Sequence, residues 1–474
     1  MSNAKVDRRE EIEELARRRG FLWQAFEIYG GVAGFYDYGP LGALLKRRIE
    51  AEWRRFYGIG EGFYEIEATT IGPRDVFKAS GHLKSFSDMA VVCKDCKTFF
   101  RMDEAIDIDK RCPECGGELV DAGEFNLMFQ TKIGVPKGES EQNNSTGYLR
   151  PETAQGIFID FPRLLRFNRD KLPLGVIQIG KAYRNEISPR KSIIRLREFT
   201  MAEAEVFVDP REKNKHPGFE TVKEKVLRLV PAEGAQEEKS LEQAVKSGII
   251  ANQYLGYHVA RVGEFLEGIG IPGDRLRFRQ HRKDEMAHYA RDCWDAEFFS
   301  NRYSWMEIVG VADRGDYDLS VHASFSNTDM CVHDGPEKII PHVIEPSFGI
   351  DRIVYALLES SLYKEQVGKQ KRKVLGFKNE IAPIKAAVFP LLNRDGLKEK
   401  AVEVFQALRD EAILVEYDDS GSIGRRYRRQ DEIGTPYCIT IDYDTLEDGT
   451  VTIRERDTMK QVRVPVAEIK EFIA

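Results

Sequence analysis

Residues Tyr183–Phe207 read YRNEISPRKSIIRLREFTMAEAEVF. Four arginines and four glutamates interrupt what otherwise reads as two strands joined by a loop. From Ile194 onward, strand alternation puts Ile194, Leu196, Ala202, Ala204, Val206 and Val208 on one face. Arg195, Arg197, Phe199, Met201, Glu203, Glu205 and Phe207 take the other. The first is a core face, with Glu198 and Thr200 as exceptions. The second alternates charge with large hydrophobes. A merely solvated face would favour Lys and Thr. Planar guanidinium forks beside carboxylates and aromatics suit recognition of phosphate together with a flat ring.

The surrounding chain has 474 residues, which predicts two or three domains rather than one core. Hydrophobic residues make up 42% and charged residues 31%, a globular rather than a disordered composition. No apolar run approaches ~20 residues, so no membrane span is expected. The charged start, MSNAKVDRREEIEELARRRG, lacks the apolar stretch of a secretory signal. A net charge of -7 argues against indiscriminate nucleic-acid binding but leaves room for a local basic patch.

Of seven cysteines, four cluster as Cys93-Lys-Asp-Cys96 and Cys112-Pro-Glu-Cys115. Two CxxC pairs at this spacing predict a zinc ribbon in a reduced compartment, hence a cytosolic protein. No histidine lies nearby to leave an open position, so the metal would be structural. Cys293, Cys331 and Cys438 are scattered. His288 and Cys293 in AHYARDCWD match no zinc-pair spacing, and His288 reads as a satisfied polar residue.

Residues 8–28 have a charged, amphipathic helical pattern. A glycine-rich turn, 30–40, leads into a helix striped by Leu41, Leu44, Leu45, Ile49 and Trp53. FYEIEATTIG is strand-like, and the cysteine knuckle, roughly 86–125, interrupts the framework. TGYLRPETAQGIFIDFPRLLRF reads as a turn and a helix, and LGVIQIGKAYRNE as a strand. A loop at 187–192 leads to a second strand over about 193–208. Residues 210–275 read as a charged helical insertion, with PAEGAQEEKS as a loop. Strands return at AEFFS, YSWMEIVGVADRGDYDLSVHASF and PHVIEPSFG, followed by the helix DRIVYALLESSL. YKEQVGKQKRKVLGFKNEIAP reads as a basic linker. Beyond it, strands alternate with helices in an α/β module over 380–474.

Arg184-Asn-Glu186, a loop, then Arg195-x-x-x-Phe199-x-x-x-Glu203 resembles the second signature motif of class II aminoacyl-tRNA synthetases. The Pro40 turn and helix resemble the first motif, a dimer element. EPSFGIDR, Glu345–Arg352, resembles the third. Ser347 departs from the usual glycine there, as it does in glycyl-tRNA synthetases of the α2 type. RPETAQGIF, RNEISPR, REFTMAEAE, HYARDCWD and EIVGVADRGDYDL are also similar to that family, so the resemblance spans essentially the whole chain.

The resemblance implies an α+β fold: a class II antiparallel sheet flanked by helices, a zinc-ribbon-like insertion and a C-terminal α/β anticodon-binding domain. The catalytic core would span 1–375, with the knuckle at 86–125 and the insertion at 210–275, and the anticodon-binding domain 380–474. It implies a homodimer that joins glycine to tRNA(Gly) with ATP and Mg²⁺. Arg184 would hold the α-phosphate, Arg352 the γ-phosphate and adenine face, and Phe199 would stack on adenine. Glu186 and Arg195 would complete the clamp, with Asn185, Ile194, Leu196, Arg197, Glu198, Ile308, Gly349, Ile350 and Asp351 also at ATP. Glu307 and Glu345 would lie near Mg²⁺, whose oxygen preference suits them.

For glycine, the resemblance gathers Glu152, Glu203 and Glu345 around the ammonium, with Ser347 closing the pocket and Phe199, Pro346 and Gly349 beside it. Arg101 would meet the carboxylate. Cys93, Cys96, Cys112 and Cys115 would hold zinc. In the C-terminal module, GRRYRRQDEIG (Gly424–Gly434) sets four arginines around Tyr427, a pattern suited to phosphate contacts and base stacking. Arg197 and Glu205 receive no role. A binding-only paralogue would be expected to lose Arg184, Arg195 and Arg352, and a proline or threonine enzyme would need room where Glu152, Glu203 and Ser347 stand.

Overall fold

The computed structural model describes residues 8–102, 111–135, 145–189 and 192–473. Its framework is a nine-stranded sheet. The spatial order is Glu237–Ser240, Val226–Val230, Leu276–Gln280, Asp292–Ser300, Ser304–Gly315, His342–Gly349, Glu198–Val208, Leu174–Tyr183 and Tyr64–Glu65. All pairs are antiparallel except those of Val226–Val230 with Leu276–Gln280 and of Leu174–Tyr183 with Tyr64–Glu65.

One face of the sheet is covered by three helices. Pro40–Trp53 starts on Pro40, where a missing N–H is harmless. It buries Leu41, Leu45, Ile49 and Trp53 at intervals of four, one stripe of the cylinder. Gln253–Gly268 is capped by Asn252, whose side chain accepts from Leu255 N at 2.9 Å. Ile350–Ser361 follows the last central strand directly. Ala202, Ala204, Val206 and Val208 pack into this core. On the opposite face, Ala154–Phe167 covers only one end, where Phe158 and Phe161 meet Phe207 and Val343. The other end of that face is open, and the polar side chains of the site lie there.

Several sequence expectations change. The first helix covers only Arg8–Arg18, and Leu22–Gln24 is a strand paired with Tyr36–Tyr38. The second signature strand starts at Glu198, after a 3-10 turn over Ser192–Ile194. Strict alternation therefore fails at Ile193 and Ile194, and it resumes at Phe199. FYEIEATTIG contributes two short strands, Tyr64–Glu65 and Ile71–Pro73.

The stretch 210–275 is not a helical appendage. Its strands Val226–Val230 and Glu237–Ser240 extend the central sheet, because Leu227 and Leu229 bury into the main core. The strand beginning at Ser304 stops at Gly315, and Tyr317–Ser326 is a helix that buries Asp318, Leu319 and His322. The supposed linker is a hairpin, Leu362–Val367 with Gln370–Leu375. Its Arg372 and Val374 are buried completely.

Beyond it stands a five-stranded sheet. Its order is Val415–Tyr417, Ala386–Pro390, Tyr437–Ile441, Thr450–Glu455 and Gln461–Pro465, with helices Leu397–Asp410 and Ile423–Ile433. The last strand and the short helix Tyr443–Asp448 are additions to the sequence expectation. Among the described residues no helix is long and apolar enough to cross a membrane.

Candidate active site

The open end of the sheet carries a cleft. Arg184, Glu186, Ile194, Arg195, Leu196, Phe199, Glu307, Ile308, Ser347, Gly349, Asp351 and Arg352 line it, together with Ile193, Thr200 and Met201. Residues far apart in sequence meet here because the Leu174–Tyr183, Glu198–Val208, Ser304–Gly315 and His342–Gly349 strands lie side by side.

Arg184 lies 5.3 Å from the ring centres of both Phe86 and Phe199 and donates to Pro151 O at 3.3 Å. This stacking holds the fork in place with no carboxylate at ion-pair distance among the described residues. Arg352 donates to Ile194 O at 3.1 Å and to Glu307, through Oε2 at 2.8 Å and its carbonyl at 2.9 Å. Burial works against both charges, but each outweighs it for the other: Glu307 is lowered and Arg352 raised. Glu186 is buried, 3.8 Å from Arg195, and its Oε2 has no hydrogen-bond partner. Its carboxyl is raised because burial outweighs Arg195.

Other predicted ATP residues sit differently. Asp351 lines the cleft, but its carboxylate accepts from Thr200 N at 2.6 Å and from Tyr38 Oη at 2.5 Å. It anchors the Ile350–Ser361 helix to the neighbouring strand and to the Tyr36–Tyr38 turn. Ile350 turns into the main core, because the helix's first turn needs an apolar contact there. Asn185, Arg197 and Glu198 are also absent from the lining. Arg197 donates to Glu186 O at 2.9 Å and Ala33 O at 2.8 Å, fastening the glycine-rich turn to the hairpin. Glu198 pairs with Lys181 at 3.2 Å on the outside.

Beneath Ser347 the floor becomes acidic. Ser347 donates to Glu203 Oε1 at 2.8 Å, and Thr153 N donates to Oε2 at 2.6 Å. Glu152 lies 3.6 Å from His82 and accepts from Gln155 at 2.8 Å. Glu345 accepts from Arg314 at 3.1 and 3.0 Å. Both its oxygens are thus engaged away from the cleft, which does not suit the predicted place near Mg²⁺. Pro346 is buried beside it, opposite Val311.

Arg314 is the residue the sequence reading passed over. It is 1% exposed, grips Asp318 at 2.7 and 2.9 Å, stacks 3.8 Å over Tyr289 and lies 3.7 Å from Glu152. An arginine between aspartates in VADRGDYDL, inside an apolar strand, was the available signal. Glu205 is fully buried and neither oxygen has a hydrogen-bond partner.

This cluster has more carboxylates than cations. Burial and the neighbouring charges of Glu203 and Glu152 push Glu345 up to about 8, against the pull of Arg314. Burial and Glu345 raise Glu205 well above the ordinary carboxylate range, and burial with Glu152 raises Glu203. Burial alone would raise Glu152 too, but His82, Arg314 and Gln155 hold it low. The arrangement accepts a small cation from the cleft side.

The cysteine lobe is a sheet of Ser87–Cys93, Phe99–Arg101 and Leu119–Asn126. Cys93 and Cys115 sulfurs are 3.4 Å apart, Cys96 and Cys112 3.5 Å, and all four lie within 4.8 Å of one another. A tetrahedron with Zn–S near 2.3 Å has edges of about 3.8 Å, so the four sulfurs fit a zinc ion. Arg101 sits in this lobe, 3.1 Å from Asp88, and does not line the cleft.

The C-terminal arginine run also departs from expectation. Arg426 donates to the carbonyls of Pro390, Asp419 and Gly421, Arg429 pairs with Asp418 and Arg428 with Asp431. Tyr427 donates to or accepts from Thr440 at 2.7 Å. Only Arg425 of the four is exposed, so the run is mostly internal bracing.

Family models match two parts of the chain: a class II tRNA synthetase core domain (G, H, P, S and T) over residues 137–361, and an anticodon binding domain over 385–474. A glycine–tRNA ligase from Methanothrix thermoacetophila is 50% identical, covering 99% of this chain and 97% of the relative. Those of Methanocaldococcus jannaschii and Archaeoglobus fulgidus are each 46% identical, across 98% of this chain and 98% and 96% of theirs. A solved Giardia lamblia prolyl-tRNA synthetase, in complex with prolyl-adenylate, superposes with a TM-score of 0.62. It is 16% identical, and the match covers 99% of this chain and 75% of that one, a likeness of fold alone. Fold, cleft and near-full-length identity agree: the chain belongs to the glycine–tRNA ligase family of class II aminoacyl-tRNA synthetases.

Proposed function

We propose that the protein is a glycine–tRNA ligase that works in two steps in one cleft. A carboxylate oxygen of glycine attacks the α-phosphorus of ATP, and the bond to the bridging oxygen breaks to release pyrophosphate. A ribose hydroxyl of the terminal adenosine of tRNA(Gly) then attacks the carbonyl carbon of glycyl-adenylate. AMP leaves, and the hydroxyl proton passes to solvent or phosphate.

The chain's own task is positioning and charge stabilisation. Arg184 and Arg195 meet the phosphates, Phe199 offers its ring to adenine, and Arg352 faces the phosphate tail. Glu203, with Glu152 and Glu345 behind it, receives the ammonium of glycine, and Ser347 limits room for a side chain. Arg101, whose charge acts on Glu186 of the cleft, is assigned to the carboxylate of glycine. Glu307, half exposed at the mouth, is the carboxylate suited to Mg²⁺. Bound Mg²⁺ would neutralise charge on the departing pyrophosphate. Zinc in the four-cysteine lobe would hold that lobe together, and the 380–474 module would read the anticodon. The protein would act as a cytoplasmic homodimer.

The supporting observation is the continuity of the cleft's arginine and phenylalanine lining with the acidic pocket through the Ser347–Glu203 hydrogen bond. ATP–pyrophosphate exchange with each amino acid in turn tests it. Exchange should require glycine, and exchange driven instead by alanine, proline or threonine overturns the assignment. Arg184→Ala should lower exchange by about a hundred- to a thousand-fold while leaving the circular dichroism unchanged.

A further inference from the structure

The open face of the sheet continues past the cleft. Strand register sets Glu203 beside Ser347, Ser347 beside Gly310 and Gly310 beside Asp295. A Cβ on Gly310 would meet nothing within 4 Å, so this central-strand glycine leaves a gap in the floor between Ser347 and Asp295. One residue row further, Cys293 stands opposite Ala312, which stands opposite Glu345. At the far side of this gap three ligand-type side chains converge. His281, Cys293 and Asp295 each present a donor atom within 4.8 Å of the other two.

From these side chains we propose a second divalent-metal site, separate from the four-cysteine lobe, that takes a borderline cation such as Zn²⁺ through His281, Cys293 and Asp295.

Three observations carry it. First, each side chain keeps an atom that the protein does not engage. His281 donates to or accepts from Asp295 Oδ2 at 2.8 Å through Nε2, while its buried Nδ1 has no hydrogen-bond partner among the described residues. Arg279 also reaches Asp295 through Oδ2, at 3.0 Å, and Oδ1 accepts no hydrogen bond among the described residues. The Cys293 sulfur makes none among them either.

Second, carboxylates gather round the thiol: Asp292, Asp295 and Glu307 lie near Cys293, with Arg279 on Asp295 and Arg352 on Glu307 as the facing cations. Third, the donor set is imidazole, thiol and carboxylate. Mg²⁺ takes oxygen ligands, whereas Zn²⁺ takes all three types and keeps a fourth position open when three protein ligands hold it. That position would face the gap over Gly310. Two strand spacings put it about 10 Å from Ser347.

The site is anchored locally. His281 N donates to Cys293 O at 2.9 Å, which fixes the two ligand residues across the end of the strand pair. The sequence gives no zinc-pair spacing between Cys293 and His288 and reads His288 as a satisfied polar residue. The structure places His288 against Tyr289 and Tyr317, and His281 at the thiol.

The test is metal stoichiometry on the full-length protein, stripped with chelator, reloaded with Zn²⁺ or Co²⁺ and dialysed. Wild type should retain two Zn²⁺ per chain and Cys293→Ser one. His281→Asn, at the partly exposed rim, should also retain one, with its metal-free melting temperature confirming the fold. Cobalt loading should show a single-thiolate charge-transfer band, lost in Cys293→Ser and kept in Cys112→Ser, where the four-sulfur spectrum disappears. One metal in wild type that survives both Cys293→Ser and His281→Asn overturns the proposal, as does a second metal indifferent to both. If the cysteine lobe itself holds no metal, wild type retains one ion, and its loss in Cys293→Ser still supports the site.

Discussion

Two buried charge networks in this protein are mirror images. In the core, one arginine, Arg314, serves Asp318, Glu345 and Glu152, with Glu203 and Glu205 close behind. Between the hairpin and the C-terminal sheet, one carboxylate, Asp431, serves Arg372 at 2.7 and 2.9 Å, Arg454 at 3.0 Å and Arg428 at 3.2 Å. The excess arginines at Asp431 find other acceptors. Arg372 also reaches Glu365 and Arg456 O, and Arg456 reaches Gly434 O and Phe377 O, each at 2.7 Å. Of the excess carboxylates at Arg314, Glu203 and Glu152 find donors in Ser347, Thr153 and Gln155, but Glu205 keeps two oxygens with no partner among the described residues. A network whose surplus charge is answered by backbone is a brace. One whose surplus is left unanswered beside a cleft is a receptor.

Removing the hub of each network should separate these roles. Arg314→Met leaves Asp318 and Glu345 buried without their cation, so urea unfolding should show a loss of about 3–5 kcal/mol. A loss below 1 kcal/mol would mean that Arg314 is not the hub of this network. Asp431→Asn should lose less, about 2 kcal/mol, because Arg372 keeps carbonyl and Glu365 acceptors and the asparagine can still accept. Equal losses at the two hubs would erase the distinction drawn here.

Glu203→Gln should raise the KM for glycine about 10- to 100-fold, the worth of one charge-assisted contact, with the KM for ATP nearly unchanged. A parallel rise in both would place Glu203 in general architecture.

The smallest effect is in pH. With Glu345 at about 8, its carboxyl is mostly protonated at neutral pH in the free protein. The KM for glycine should therefore fall, by at most about tenfold, as pH rises through that value, and Glu345→Gln should flatten the profile. Stability runs the other way. Between the ordinary carboxylate range and about 8, the folded state holds a proton that the unfolded chain has released, so this group's contribution declines as pH rises across that window.

Sequence revealed the parts of the site that carry their own pattern. Arg184, Phe199, Glu203, Ser347 and Arg352 stand at motif positions, and strand alternation puts Phe199 and Glu203 on one face. Arg314 was hidden because the strand reading ran through residue 325, which dissolved the strand-to-helix turn that aims it. The hairpin at 362–375 was hidden for an electrostatic reason. Lys364, Glu365, Lys371, Arg372 and Lys373 mask its period of two, since Arg372 is buried only against an aspartate 59 residues away. Arg426, Arg428 and Arg429 were misread for the converse reason: their acceptors, Asp418, Asp431 and carbonyls, lie outside or on the far side of the run. Short-range pattern reports which face a residue takes, not which distant charge waits for it.

The Arg372–Asp431 brace also has a temporal meaning. Gly434, at φ +81°, comes so near the hairpin that a Cβ there would lie 2.4 Å from Phe377 and 2.9 Å from Leu375 O. Synthesis proceeds from the N-terminus, so the hairpin emerges well before residues 431–456. Until they arrive, Arg372 has no aspartate, although Leu362 and Leu375 already reach the main core. The Arg372–Asp431 pair therefore closes only after the C-terminal module has been made, and that module acts as a clasp on the hairpin.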